Sequence, residues 1–284
     1  MDYRKKFRVD PDAKLRLSKI DPGYRGGHDD EDAAKEAIKH YRARLAHQQV
    51  LLYAGRQRSV LVALQGLDAG GKDGTINHVF SALNPQGASV AAFKQPTPTE
   101  LAHDFLWRVH PHTPGVGEIA IFNRSQYEDV IVTRVHKQID KATWTERYRN
   151  IREFERLLVS RGVVVLKFFL HISKAEQLAR FAERLEDPDR NWKISESDYT
   201  ERELWDDYEE AFEDALVGTS TKDAPWYVIP ADHKWFRNLA VSQIMVDTLE
   251  ELKLTYPKPT VDLAEIRRKY HAAAAESRKG KKGD

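Results

Sequence analysis

The sequence predicts an α/β fold with three layers, in which a five-stranded parallel sheet lies between helices. Five short apolar or β-branched runs alternate along the chain with amphipathic helical patterns. The runs are continuous and do not alternate with polar residues, which indicates strands that are buried on both faces, as in a parallel sheet. Alternating strands and helices build such layered folds. Their ligands bind at the carboxyl ends of the strands.

Each element has its own signal in the sequence. The predicted strands are residues 59–65, 89–93, 118–122, 163–172 and 226–229. The predicted helices are residues 31–54, 97–109, 143–160, 173–185, 198–216 and 239–252. Ser173 and Glu176 form a capping-box pattern at the start of one helix. We expect one domain over 31–257, preceded by a polar, turn-rich extension over 1–30 and followed by a C-terminal helix and basic tail over 258–284.

Composition limits the classes of partner. The chain has 284 residues, of which 41% are hydrophobic, and 45 Lys and Arg against 44 Asp and Glu give a net charge of +1. A neutral chain has no overall attraction to nucleic acid or membranes, so any polyanion site must be a local basic patch. The lack of cysteine excludes disulfides, thiolate metal sites and a cysteine nucleophile. With no long apolar run and no apolar signal core, we expect a cytoplasmic protein.

A glycine-rich loop follows the first predicted strand and precedes a helical pattern. Its sequence over 66–75, GLDAGGKDGT, contains the phosphate-loop pattern G-x-x-x-x-G-K. Glycines let backbone N–H groups converge on phosphate oxygens, and the following helix adds its N-terminal dipole. Lys72 is the expected point charge on the outer phosphates. Asp73 replaces the usual magnesium-binding Ser or Thr and Asp68 adds an acid, which predicts an unusual metal arrangement; a tight turn without ligand is the alternative.

A second polar cluster, NRSQYED, follows the third predicted strand. Asn123 stands where related folds often have an acid that helps to hold magnesium. Arg124 can bind a phosphate bidentately, and Arg134 follows ten residues later. The alternative is a plain helix start, with Asn123 or Ser125 as the N-cap and Glu128 as the capping-box partner.

A third cluster, RLEDPDRNWK over 184–193, joins two predicted helices. A basic loop between helices is the layout of a lid that closes over phosphates, excludes water and brings Arg190 and Lys193 to the transferring group. We call residues 184–215 the lid. An ordinary charged helical hairpin in solvent is the alternative. On the predicted helix over 143–160, interleaved Arg and Glu, including Glu155, indicate a solvated, ion-paired face.

Together the three clusters resemble the polyphosphate kinase 2 family. The family pattern is G-x-D-A-G-G-K-D-G after a strand, then F-N-R-S-x-Y-E-D, then R-x-x-x-P-x-x-x-W-K in a lid. These patterns occur here at 66–74, 122–129 and 184–193, and the resemblance covers about residues 30–257. It implies a P-loop kinase-like core similar to thymidylate kinase, with a helical lid. It also implies reversible transfer of the terminal phosphoryl group of inorganic polyphosphate to a nucleotide, with Mg²⁺ or Mn²⁺.

The resemblance implies roles for particular residues. Lys72 would grip phosphates at the reaction centre, and Arg124 would stabilise the transferring phosphoryl group. Asp68 and Glu128 would complete the catalytic set as metal ligands, and Asp68 could alternatively orient the acceptor phosphate. The implied phosphate- and nucleotide-binding residues are Gly66, Ala69, Gly70, Gly71, Asp73, Gly74, Thr75, Asn123, Arg134, Arg184, Arg190 and Lys193.

The subclass and assembly also come from the resemblance. Asn123 with Tyr127, Glu128 and Asp129 resembles the class III branch, which phosphorylates nucleoside mono- and diphosphates. Relatives that prefer diphosphates carry Asp in place of Asn123. The implied acceptors are adenine nucleotides, with guanine nucleotides as further candidates, and the implied assembly is a homo-oligomer, either a dimer or a tetramer. Two other functions stay open: an ATP-dependent nucleotide kinase on the same fold and a non-catalytic polyanion-binding protein.

Overall fold

A computed structural model describes residues 1–11, 13–28 and 30–280. In this part of the chain the strands are β1 (Arg8–Val9), β2 (Ser59–Gln65), β3 (Ala88–Ala92), β4 (Ile119–Asn123), β5 (Val163–His171) and β6 (Trp226–Pro230). The helices there are α1 (Tyr3–Phe7), α2 (Glu31–Gly55), α3 (Lys72–Val79), α4 (Pro98–Leu101), α5 (Glu128–Val135), α6 (Lys141–Ser160), α7 (Lys174–Glu186), α8 (Glu196–Glu203), α9 (Trp205–Thr219), α10 (Lys234–Glu251) and α11 (Leu263–Gly280).

The sheet has the strand order β1-β6-β5-β2-β4-β3, and the pairs from β6 to β3 are all parallel. Every residue of β2 is buried, as its continuous apolar run predicts. The P-loop kinase-like α/β fold is therefore confirmed, with one correction. A sixth strand, β1, pairs antiparallel with β6 through Arg8 and Tyr227. A strand of two residues is too short to show any periodicity, so no sequence pattern marks it.

Two predicted helices differ from the observed ones. The helix predicted over 97–109 ends at Leu101, because the Asp104 carboxylate accepts a hydrogen bond from the Leu106 N–H at 3.0 Å and diverts the chain into a turn. The helix predicted over 198–216 is divided into α8 and α9 at Leu204, whose φ and ψ of −87° and 18° are not helical. The lid therefore contains two helices.

The chain forms two compact units, one over Met1–Leu254 and one from Thr255 onward. The first unit includes the N-terminal 30 residues, since Tyr3 and Phe7 of α1 belong to the same buried cluster as the strands. The second contains α11. Residues 277–280 of the predicted basic tail lie in α11, and residues 281–284 fall outside the described part of the chain. Among the helices described, none has the length and apolar content needed to cross a membrane.

Candidate active site

The loop between β2 and α3 has a conformation that depends on its glycines. Gly66 has φ +156°, and a Cβ there would lie 2.8 Å from the carbonyl oxygen of Leu170 in β5. Gly71 caps α3 with φ +100°, and a Cβ there would lie 1.9 Å from Nη1 of Arg237. Only glycine fits such close approaches and such positive φ values without strain. The predicted phosphate loop is thus present between its strand and its helix.

The start of α3 provides donors for an anion. The Thr75 N–H makes the first bond of the helix, to the carbonyl of Gly71 at 2.9 Å, and the Thr75 hydroxyl donates to the same oxygen at 3.1 Å. The N–H groups of Lys72, Asp73 and Gly74 precede that bond and have no helical acceptor. Helix N-termini with this geometry bind phosphate groups.

Lys72 is buried beneath the loop and folds back onto it. Its Nζ donates to the carbonyl oxygens of Gly66 at 2.6 Å and Leu67 at 3.3 Å. Burial lowers the pKa of Lys72, and the nearby charge of Arg124 lowers it further, against the opposing effect of Asp68. The described residues offer its amine no carboxylate within ion-pair distance, so a phosphate would be a stronger acceptor than those it has.

Arg124 lies between two acids. Its Nη2 donates to Asp68 Oδ1 at 2.9 Å and its Nη1 donates to Glu128 Oε2 at 3.0 Å. The residue has φ +64°, and its N–H bonds to the carbonyl of Leu64 at the end of β2. Burial acts to lower the pKa of Arg124, but the charges of Glu128 and Asp68 outweigh it and raise the pKa. Arg124 therefore contacts two of the other three predicted catalytic residues.

Asp73 connects the loop to the second cluster and to the lid. Its Oδ1 accepts a hydrogen bond from Asn123 Nδ2 at 2.8 Å, and its Oδ2 lies 3.6 Å from Lys193 Nζ. Burial acts to raise the pKa of Asp73, but the Asn123 amide and the Lys193 charge outweigh it and lower the pKa. Lys193 is thus the lid residue that reaches the phosphate loop.

The other two predicted lid cations, Arg190 and Arg184, contact residues of the lid. Arg190 pairs with Asp187 at 2.9 Å and is about half exposed. Arg184 donates to the carbonyl of Lys193 at 3.4 Å and lies 3.9 Å from Asp198 Oδ2. These contacts shape the turn that carries Lys193, and neither guanidinium has a described contact with the phosphate loop.

Two further expectations of the second cluster differ from the structure. Arg134 turns toward α9, where it donates to Asp214 at 2.7 Å and Glu210 at 2.8 Å, so it is not brought to the loop. Ser125 does not cap α5, because the N-cap is Tyr127. The Ser125 hydroxyl accepts hydrogen bonds from Gln65 in β2 at 3.0 Å and from the Tyr127 N–H at 3.4 Å. A helix does begin in this cluster, at Glu128, but neither Asn123 nor Ser125 is its N-cap.

The structure adds three residues that the sequence patterns did not single out. Gln177 and Arg180 of α7 donate to the carbonyls of Asp68 and Ala69 in the loop. Arg237 of α10 packs against Gly71, and burial beside Arg180 lowers the pKa of Arg237 to about 9. The only available signal was that α7 and α10 follow neighbouring strands, whose carboxyl ends share one edge of the sheet.

A narrow cleft opens beside these groups. Its lining includes Asp68, Arg124, Glu128, Gln177, Arg202 and Tyr208. The cleft therefore lies between Arg124, with its two acids, and the lid helices. A larger cavity lies between the N-terminal segment and β6 and shares none of these residues. Among the described residues, no group of three or more His, Cys, Asp or Glu side chains could hold a metal ion without further ligands.

Comparisons with known proteins point to one family. Residues 28–257 match the family model for Polyphosphate kinase 2 (PPK2). The chain is 52% identical over 259 residues to the AMP/ADP-polyphosphate phosphotransferase of Meiothermus ruber, a match that covers 90% of this chain and 96% of the relative. It is 44% identical over 272 residues to the ADP-polyphosphate phosphotransferase of Rhodopseudomonas palustris, covering 90% and 93%. The crystal structure of Polyphosphate Kinase 2 from Arthrobacter aurescens matches with a TM-score of 0.92 at 39% identity, covering 96% and 97% of the two chains.

Proposed function

The chain belongs to the polyphosphate kinase 2 family, and we propose that it transfers the terminal phosphoryl group of inorganic polyphosphate to ADP and AMP, giving ATP and ADP reversibly. The observation that supports this most is the convergence of the phosphate loop, the buried Lys72 and the Arg124–Asp68–Glu128 group at one edge of the sheet. Phosphoryl transfer needs positioning and charge stabilisation more than covalent chemistry. This convergence supplies both.

The phosphate loop and Lys72 hold phosphates at the point of transfer. The N–H groups at the start of α3 that have no helical acceptor can donate to phosphate oxygens. The Lys72 ammonium exchanges its two carbonyl acceptors for phosphate oxygens. Burial lowers the pKa of Lys72, and a bound polyanion opposes that shift because it favours the charged amine. Lys193 then approaches from the lid and adds positive charge over the same group.

Asp68 and Glu128 are the proposed ligands of Mg²⁺, with Mn²⁺ as an alternative. Arg124 engages one oxygen of each carboxylate, and the other oxygen of each has no bonded partner among the described residues. Mg²⁺ is commonly held by one or two carboxylates together with substrate phosphates and water, so the residues present fit this ion. When bound, it would neutralise charge on the transferring phosphoryl group. We expect EDTA to stop turnover and added Mg²⁺ to restore it.

The acceptor range follows from the pair formed by Asn123 and Asp73. The neutral Asn123 amide donates to Asp73 and leaves a single acid at this position, which supports the class III assignment and acceptance of both AMP and ADP. The Meiothermus ruber relative, which matches most of the chain, is itself named for both nucleotides. We further propose that the protein works in the cytoplasm as a homo-oligomer, a dimer or a tetramer, which light scattering after gel filtration will measure.

A donor and acceptor comparison tests the proposal. Polyphosphate is supplied as the only phosphoryl donor with AMP, ADP or GDP, and the products are separated by chromatography. The proposal predicts ATP from ADP and ADP from AMP, while turnover of GDP would extend the base range. An ATP-dependent nucleotide kinase would instead phosphorylate AMP only when ATP is present. A non-catalytic polyanion-binding protein would show binding that weakens steeply with salt and no product.

A further inference from the structure

The structure assigns a positioning role to Gln177 and Arg180 of α7: we propose that they fix the phosphate loop in its ligand-ready shape, and that Arg202 of the lid acts on the loop through Gln177. The kinetic part of this proposal rests on the proposed function. The geometric part concerns the loop alone and can be tested by phosphate binding without turnover.

Two buried side chains of α7 hold consecutive carbonyls of the loop. Gln177 Nε2 donates to the carbonyl of Asp68 at 2.9 Å, and Arg180 Nη1 donates to the carbonyl of Ala69 at 2.7 Å. The two residues are three positions apart, so they project from one face of the helix. Both are about 95% buried or more. The loop is therefore bonded from one side at two adjacent peptide groups.

These bonds set the directions of the loop amides. A trans peptide places each C=O opposite to the next N–H. With the Asp68 carbonyl turned toward α7, the Ala69 N–H points away from α7, and the described residues supply no acceptor for it. Ala69 has φ +59°, a conformation that residues with a Cβ rarely adopt. The Gly70 N–H closes a turn onto the carbonyl of Leu67 at 2.9 Å. External bonds of this kind keep a strained residue in place.

Arg180 is itself held firmly. Its Nη2 donates to the carbonyls of Ala231 at 2.5 Å and Asp232 at 3.1 Å, and its Nε pairs with Glu176 at 2.8 Å. The guanidinium thus joins the phosphate loop to the turn after β6. A lysine has one compact cation in place of this planar fork and cannot make the same set of bonds.

Gln177 also receives a bond from the lid. Arg202 Nη1 of α8 donates to Gln177 Oε1 at 3.0 Å and to the carbonyl of Lys174 at 2.7 Å. The amide of Gln177 therefore accepts from the lid with its oxygen and donates to the loop with its nitrogen. Because one planar group makes both bonds, a displacement of α8 that removes Arg202 frees the amide to rotate away from Asp68.

Four variants separate these bonds. Gln177→Glu can still accept from Arg202 but cannot donate to Asp68, whereas Gln177→Met removes both bonds at similar length. Arg202→Ala removes the lid's bonds to Gln177 and to the carbonyl of Lys174 but leaves the Gln177 amide able to donate to Asp68, with Arg202→Lys as the conservative rescue. Leu178→Ala, on the exposed face of the same helix, is the matched control. Each variant is assayed for ATP formation from polyphosphate and ADP, for tripolyphosphate affinity by calorimetry, and for thermal unfolding.

We expect Gln177→Glu and Gln177→Met to lower kcat by about tenfold or more and to weaken tripolyphosphate binding by a similar factor, since small misplacements at a transfer site are costly. The KM for ADP should change by less than about twofold, because the proposed positioning acts on the transferring phosphoryl group more than on binding of the acceptor. Arg202→Ala should lower kcat by about threefold, Arg202→Lys should recover part of it, and the Gln177→Met and Arg202→Ala effects should not add.

Folded Gln177→Glu and Gln177→Met proteins with wild-type kcat and wild-type tripolyphosphate affinity would overturn the positioning role. Additive effects of Gln177→Met and Arg202→Ala would overturn the link to the lid. A wild-type chain that binds tripolyphosphate but makes no ATP would instead refute the proposed function, and the affinities of the variants would still decide the positioning role.

Discussion

Among the described residues, two lysines, Lys72 and Lys167, are buried, and they differ in how the protein satisfies their ammonium groups. Lys167 of β5 donates to Glu155 at 2.6 Å, to the hydroxyl of Tyr127 at 3.1 Å and to the carbonyl of Thr219 at 2.8 Å. Its three N–H groups are thus all used, one of them by a carboxylate. Lys72 in the phosphate loop has two carbonyl acceptors and no ion-paired carboxylate among the described residues.

Burial lowers the pKa of both lysines, so the direction of the pKa shift does not distinguish them. The hydrogen-bond inventory does. An ammonium has three donors, and a site in which all three are satisfied by the protein has nothing left for a ligand. Lys167 is therefore structural, whereas Lys72 has a donor available and lies against a set of backbone N–H groups that also lack acceptors.

The largest expected effect is that of Lys72→Ala. Loss of the ammonium should lower kcat by about a thousandfold, in the range found when a group that stabilises developing charge is removed, with thermal stability close to wild type. Turnover is measured as ATP formed from polyphosphate and ADP, with unfolding followed by circular dichroism. Activity within tenfold of wild type would mean that Lys72 does not act at the reaction centre.

Arg124→Lys tests the group that joins the two acids. Lysine keeps the charge but cannot donate to Asp68 and Glu128 with a rigid fork, so kcat should fall by about a hundredfold. The matched control is Arg134→Lys, ten residues along the chain, whose partners Asp214 and Glu210 belong to α9. We expect less than a twofold change in kcat for the control. Wild-type activity in Arg124→Lys would mean that charge alone, and not the Arg124 geometry, matters, and equal losses in both variants would mean that the effect is not specific to the site.

Asn123→Asp should change acceptor preference more than overall rate. The substitution replaces the bond to Asp73 by a contact between two acids. AMP is one phosphate shorter than ADP, so we expect it to bind further into the site to present its phosphate for transfer, where the added negative charge repels it more. We expect kcat/KM for AMP to fall by about tenfold relative to that for ADP. Asn123→Gln, which keeps the neutral amide, serves as the control. An unchanged ratio of kcat/KM for AMP to that for ADP in Asn123→Asp would mean that this position does not set the acceptor range.

Lys167→Met should have the smallest effect on turnover and a large one on stability. Removing one partner of a buried pair leaves Glu155 uncompensated and should cost about 3–5 kcal/mol of unfolding free energy. The kcat per folded molecule should stay near wild type, since Lys167 contacts no residue of the phosphate loop. Urea unfolding measures the first quantity, and Lys167→Met with Glu155→Leu should recover part of the loss. A Lys167→Met variant that is stable but inactive would mean that Lys167 serves turnover and not stability.

The phosphate loop could be predicted from the sequence and the buried Lys167 network could not, for a physical reason. The phosphate loop was predictable because its glycines, Lys72 and flanking elements are consecutive in the chain. The Lys167 network was not, because Glu155 lies on another element and is fully buried, although the Arg and Glu pattern of α6 indicates a solvated face. That interpretation is correct for Arg149 with Glu146 and wrong for Glu155.

The same distinction explains the other differences. The family resemblance implied a place for Arg134 at the site, whereas its partners lie on α9, about 80 residues away. Gln177 and Arg180 bind backbone carbonyls, which every residue carries, so no sequence pattern marks such acceptors. Local patterns thus predicted the strands and the loop, and long-range pairings had to be seen in the structure.

The most direct test of the central claim is the stoichiometry of transfer by the wild-type chain. The protein is given long-chain polyphosphate, ADP and Mg²⁺ with no other donor, and ATP is measured by chromatography beside the phosphate units lost from the polymer. The account predicts one ATP for each unit lost. A sample that makes no ATP under these conditions, yet phosphorylates AMP when ATP is supplied, would contradict it.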